Sequence, residues 1–251
     1  MRVPLPPRRW VLSERQPPAF ADARCIAAYD VISQASYVTN FGCGWIFYML
    51  LTFLPQYLEQ RFAFDLRTSG VYAELPYIGR ALVLFGGGFA ADMMLRKKVA
   101  SLLTVRRLFN TLASIGPAVF LMAVTFTSHE ESTPDVKSLV LTLIILGVAV
   151  SGCQMQGCVL VPVDLFPEAS GVAYGLGNLF GNVPGIVAPA LTGHMLDVAG
   201  CPSGDTSNTT ITKECLEGWN HCIYLAAAVG AAGGVVFLFG AGFDKRYQKQ
   251  E

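Results

Sequence analysis

Arg80 and Glu74 stand inside an otherwise apolar stretch, 69–91. A charge in hydrocarbon is costly, so an ionisable residue at such a position is a functional candidate by default. A guanidinium offers a planar fork of N–H donors that matches a carboxylate or a phosphate. Arg80 precedes Asp92 by twelve residues, about 18 Å along a helix at the standard rise, which puts it near mid-membrane. Snorkelling or pairing are the alternatives for Arg80. Glu74 lies six residues earlier, on a different helix face, so pairing within the helix is not expected. Asn40, Gln154, Gln156 and Asn178 are polar side chains in apolar surroundings, able to line a pathway or to bond helix to helix. For His194 and His221 a proton-coupling role is one reading, since histidine is the residue type suited to it; wet interfacial residues are the favoured one. No nucleophile triad, phosphate loop or metal cluster is found. Gly86-Gly87-Gly88 falls inside an apolar run, and Cys153-x4-Cys158 lacks partner ligands. No catalytic residue, cofactor or metal is expected; these groups suit recognition and passage.

The elements that must hold them are set by composition. Of 251 residues, 14% are charged and 53% hydrophobic, with 25 glycines, against roughly 25% charged in soluble domains. Disorder is excluded by the shortage of charge and wealth of aromatics. Zero formal net charge argues against a nucleic-acid partner. No Asp, Glu, Lys or Arg occurs in Val31–Leu58, Leu108–Ser128, Ser138–Val163, Ala169–Leu196 or Gly218–Phe243. Each run exceeds the roughly 20 residues a helix needs to cross hydrocarbon. The runs are continuous rather than alternating, so they read as helices. The expected architecture is an all-α integral membrane bundle in a lipid bilayer. Its six helices lie at about 31–58, 69–91, 107–127, 138–162, 169–197 and 219–243, within a domain 25–243. A Pro/Arg-rich linker, 1–24, precedes it and a tail, 244–251, follows. The start of the chain lacks the apolar core and cleavage site of a signal peptide.

Basic residues orient the bundle. Arg2, Arg8, Arg9, Arg15, Arg24, Arg96, Lys97, Lys98, Arg106, Arg107, Lys245, Arg246 and Lys249 share one side; Arg61, Arg67, Lys137 and Lys213 share the other. The bias predicts that linker, tail and both termini are cytoplasmic; the specific membrane is not specified. The last outside loop, 199–219, then holds a sequon at Asn208, the glycosylation candidate. It also holds Cys201 and Cys215, with Cys222 beyond. Three pairings are open in an oxidising compartment, and Cys201–Cys215 is favoured here.

Two further patterns concern motion. Gly177, Gly181 and Gly185 recur every four residues and share a face, where another helix can approach closely. Pro184 and Pro189 in the same span remove backbone bonds and bend it; static tight packing is the alternative. Gly88-x3-Asp92-x3-Arg96-Lys97 sets a carboxylate at the membrane edge before a basic cluster. Asp92 can pair with a neighbouring Arg or a helix N-terminus, a latch whose breaking would bias a two-state equilibrium. Simple interfacial anchoring is the alternative.

That last motif resembles the short cytoplasmic loop of the major facilitator superfamily, departing at Met93 and Leu95, where a basic residue and Gly are usual. Gly44-Trp45-x-Phe47-Tyr48-x3-Thr52-x2-Pro55-x-Tyr57 resembles the seventh span of its anion–cation symporter family. Leu75-Pro76-Tyr77-x-Gly79, Val105-Arg106-Arg107, Ile115-Gly116-Pro117-Ala118, Asp164-x2-Pro167-x3-Gly171 and Gly175-x2-Asn178-x-Phe180-x3-Pro184-Gly185-x3-Pro189 are similar to its later blocks. The resemblance covers about 37–239. It implies the C-terminal six-helix half of a twelve-helix transporter.

The resemblance further implies a small anionic substrate, organic or inorganic, moved by alternating access and coupled to a proton or sodium ion. The partner would be the missing N-terminal six-helix half or a second chain. Tyr48 matches a cavity-facing Tyr that can donate to an anion, or is a packing aromatic. Cys43 stands where vesicular glutamate transporters have Arg. Arg80 is not part of the family pattern. The substrate-pathway candidates are therefore Arg80, Tyr48, Asn40, Asn178 and Gln154. A truncated, transport-inactive product or interaction partner is the alternative function, and a six-span channel a third.

Overall fold

The computed structural model describes residues 31–62, 66–127, 133–202 and 211–240, and among them all regular structure is helical. The linker 1–24, the tail 244–251 and Asn208 lie outside the described residues. The chain forms α1 (Val31–Phe62), α2 (Leu66–Arg96), α3 (Leu102–Thr125) and α4 (Pro134–Val150). A 3-10 turn (Ser151–Gln154) and a π turn (Met155–Val159) then lead into short α5 (Val161–Leu165). A 3-10 turn (Pro167–Ala169) precedes α6 (Ser170–Asn182) and α7 (Pro184–Val198), and α8 (Lys213–Gly240) completes the bundle.

Local sequence starts these helices. Ser101 caps α3 by accepting from the Thr104 N–H at 3.3 Å, and Thr133 caps α4, with Pro134 where no N–H is needed. Among the described residues five helices are long and apolar enough to cross a membrane, α4 and α5 counting as one. The remaining expected span, 169–197, is α6 plus α7. Pro184 has no N–H to offer Phe180, yet Val183 keeps helical torsions (φ −51, ψ −41). The span is therefore jointed rather than cut. The expected span 138–162 is also interrupted, at a place its unbroken apolar run did not mark. Gly157 leaves the helical region (φ −85, ψ −109).

Tight contacts define how the helices stack. α1 is central: 61% of its apolar window is buried, against 11% for α2. It runs antiparallel to α8, with Gly42 beside Val229 and Gly240 beside Ala35. It runs parallel to α6–α7, with Gly44 beside Gly181, Tyr48 beside Gly185 and Phe53 beside Gly193. α4 runs parallel to α2, with Gly79 against Ala149 and Gly152 against the Arg80 carbonyl. α3 is antiparallel to α4, with Gly147 beside Phe120 and Gly157 beside Asn110. Apolar side chains of α1, α3, α4 and α8 close the core, among them Leu54, Leu58, Leu121, Ile144 and Trp219.

Gly44 shows why small residues are needed. A Cβ there would stand 2.5 Å from the Gly181 carbonyl oxygen, and backbone cannot step aside cheaply. Gly44→Ala is expected to lower stability by about 1–3 kcal/mol, the usual cost of overpacking. A thermal-unfolding comparison of the full-length protein in detergent checks this; an unchanged midpoint would contradict the close approach.

A disulfide joins Cys201 to Cys215, while Cys222 is a buried free thiol. The bridge sits over Gln60, which donates to the Pro202 carbonyl at 2.8 Å and accepts from Trp219 Nε1 at 2.8 Å. Cys201→Ser is expected to cost about 3 kcal/mol, as for any cross-link closing a loop of this length. A reducing agent should lower the unfolding midpoint of wild type and leave that of the variant unchanged.

Candidate substrate cavity

The five pathway candidates meet. A cavity of about 560 Å³ is lined by Asn40 and Tyr48 of α1, Arg80 of α2, Gln154 of the 3-10 turn and Asn178 of α6. Phe47, Glu74, Tyr77 and Asn182 complete its chemically distinctive wall.

Arg80 is seated rather than loose. Its guanidinium lies 4.1 Å from the Phe47 ring centroid, a cation–π contact worth roughly 2 kcal/mol when desolvated. Phe47 is itself held edge-on by Tyr77, at 5.9 Å between centroids. Arg80 Nη2 donates to Gln154 Oε1 at 3.3 Å. Gln154 Nε2 donates to Asn40 Oδ1 at 2.5 Å, and Asn40 Nδ2 to the Gly177 carbonyl at 2.6 Å. A relay of amides thus runs from the cation to the backbone of α6. Of the guanidinium's five N–H donors, one finds a protein acceptor among the described residues. The others remain for water or a ligand.

Tyr48 is arranged differently from expectation. Its hydroxyl donates to Asn182 Oδ1 at 2.5 Å, so its proton is already committed. Asn182 Nδ2 in turn donates to the Asn178 carbonyl at 2.7 Å. Glu74 makes no ion pair with Arg80 among the described residues. Although placed on another face from Arg80, it lines the same cavity. Residues 74, 77 and 80 step round the helix by about 60° each, and the cavity wraps that whole arc with Tyr77 at its middle.

The expected packing glycines line up against α1. Added Cβ atoms at Gly177, Gly181 and Gly185 would meet Tyr37, Asn40 and Tyr48 respectively. Pro184 forms the joint between α6 and α7, and Pro189 lies inside α7. The latch residues sit apart. Gly88 faces Gln156, while Asp92, Arg96 and Lys97 are exposed. No ion pair involves Asp92 among the described residues.

An ion pair not foreseen from sequence lies elsewhere. Arg106, read as a cytoplasmic-side charge and as part of a family-like block, is buried. Its Nε donates to Asp164 Oδ2 at 2.8 Å, and its Nη1 to the Gln156 carbonyl at 2.8 Å. It therefore ties α3 to both sides of the break at Gly157. The available signal was that Asp164 and Glu168 form an acidic connection facing a basic one. Nothing in the spacing chose Arg106 over Arg107. His194 and His221 are exposed and border a separate cleft with Glu214 and Glu217. Among the described residues no group of side chains could hold a metal ion.

The chain is 31% identical over 206 residues to sialin of Homo sapiens, covering 82% of this chain and 37% of that protein. The chain belongs to the anion–cation symporter family of the major facilitator superfamily. It is 26% identical over 215 residues to the probable small intestine urate exporter of Homo sapiens, covering 85% of this chain and 39% of that relative. It is 26% identical over 224 residues to sodium-dependent phosphate transport protein 3 of Mus musculus, covering 89% and 41%. No family model matches. The chain thus spans about two fifths of the length of these symporter relatives, in keeping with six helices of a larger transporter fold. The family assignment makes it a multi-pass membrane protein.

Proposed function

We propose that this chain is one half of a secondary transporter that moves small organic or inorganic anions across a bilayer. The seating of Arg80 carries this reading: a stacked guanidinium with spare donors, in a cavity open beside α1, α2 and α6. The names of two relatives supply the chemistry, since urate is an organic anion and phosphate an inorganic one. Arg80 binds the anion's negative group. The relay through Gln154 and Asn40 reports that binding to α6. α6 and α7, jointed at Pro184 and flanked by glycines, rock against a second six-helix half, giving alternating access driven by a proton or sodium gradient.

The second half, from the same product or another chain, closes the cavity's open side. Exposed Asp92 is available to latch across that interface with Arg96 and Lys97. Both termini lie in the cytoplasm, as the basic residues indicate, and the disulfide faces the oxidising side.

The test is uptake by the full-length product in proteoliposomes. Radiolabelled monocarboxylates, urate and phosphate are offered under inward proton and sodium gradients. The expected result is saturable accumulation of at least one anion, abolished by the matching ionophore. No uptake of any of them under either gradient would overturn the proposal.

A further inference from the structure

Glu74 is the one group in the cavity wall that an anion site does not explain. Of the side chains lining it, Arg80 and Glu74 are the two that carry charge near neutral pH. They contribute opposite signs, so this wall is electrically neutral. They do not neutralise one another directly: no ion pair joins them, and Arg80 instead contacts Phe47 and Gln154. Six residues separate them, about 9 Å along the helix axis. The side chain between them on the arc, Tyr77, carries a buried hydroxyl with no hydrogen-bond partner among the described residues.

Two opposite charges on one cavity wall, neither with an ion-pair partner among the described residues, form a poor site for a dianion, which Glu74 would repel. They form a good site for a molecule bearing both signs. We infer that the cavity of this half recognises a zwitterion, with the ligand's carboxylate on Arg80 and a protonated amine on Glu74. The inference rests on the proposed anion-binding role of Arg80 and narrows its substrate class. Tyr77 stands alongside the path between the two charged ends, and its hydroxyl gains a partner if the ligand brings a polar group there.

Binding to the purified full-length protein, measured by calorimetric titration, tests this with three matched probes. Valerate carries one negative charge, 5-aminovalerate adds an ammonium, and glutarate carries two negative charges. Wild type is expected to bind 5-aminovalerate about tenfold more tightly than valerate, as one charge-assisted hydrogen bond allows, and glutarate more weakly than either. E74Q should bring 5-aminovalerate to the level of valerate, leaving valerate itself unweakened. R80Q should weaken both. If valerate binding depends on Arg80 but 5-aminovalerate is no better and is indifferent to E74Q, the zwitterion inference falls and the anion reading stands. If wild type binds none of the probes, or binds them equally well in R80Q, both fall.

Discussion

Arg80→Gln is expected to remove saturable uptake from the full-length transporter, weakening apparent substrate affinity at least about thirtyfold. Truncating one partner of a buried, hydrogen-bonded charge pair typically costs 2–5 kcal/mol, and about 1.4 kcal/mol is a factor of ten. The geometry favours a large effect. Arg80 is held over Phe47 and tied to Gln154, so its ordering is complete before a ligand arrives, and pre-organised donors lose least on binding. Gln keeps a polar group but no charge. Arg80→Lys keeps the charge and loses the planar fork; it should fall between, with about tenfold weaker binding. The same stack predicts that Phe47→Leu weakens uptake less than Arg80→Gln, since it frees the guanidinium without deleting it. Full uptake by an Arg80→Gln protein that reaches the membrane at normal levels would show that the substrate does not meet this cation.

The second large effect concerns stability. Arg106→Ala is expected to destabilise the protein by about 1–3 kcal/mol, the cost of leaving the buried Gln156 carbonyl unsatisfied and of breaking an ion pair whose Asp164 end is half-buried. It removes the cation beside Asp164 and releases the Gln156 carbonyl next to the backbone break at Gly157. No neighbouring helix can replace that donor, because α3 approaches so closely that a Cβ on Gly157 would lie 2.7 Å from the Asn110 backbone. Asp164→Ala should be comparably damaging. The double replacement Arg106→Met, Asp164→Leu should recover part of the loss, because it removes both charges together. Unfolding midpoints of the four proteins in one detergent form the cycle. Equal midpoints for wild type and Arg106→Ala would reduce the pair to a surface contact.

The two effects act at different depths. Arg80 sits where the proposed substrate binds, whereas Arg106 secures the irregular segment 151–159 that carries Gln154 into the cavity. Gln154 stands in the 3-10 turn and Gln156 in the π turn. Each points to a different helix: Gln154 to Asn40, Gln156 to the Leu84 carbonyl. A regular helix would place residues two apart on nearly opposite sides as well, but it would not free the Gln156 carbonyl for Arg106. The irregular backbone and the ion pair are one arrangement.

By itself the sequence determined the all-helical membrane class and the family. Hydrocarbon admits no unpaired backbone and few charges, so long charge-free runs leave little choice but helices. It also singled out Arg80, Asn40, Gln154 and Asn178, because polar groups in such runs stand out whatever the fold, and Tyr48 through the family resemblance. Only the tertiary structure decided what these residues face. Helical spacing fixes angles within one helix and says nothing about where its neighbours stand. Hence Glu74, about 120° from Arg80, shares its cavity, and Tyr48 donates to Asn182. The break at Gly157 was equally illegible, since the carbonyl beside it is satisfied by Arg106, 50 positions away and one helix over. Pairings of that kind are settled by which helices pack together, and packing depends on all the spans at once.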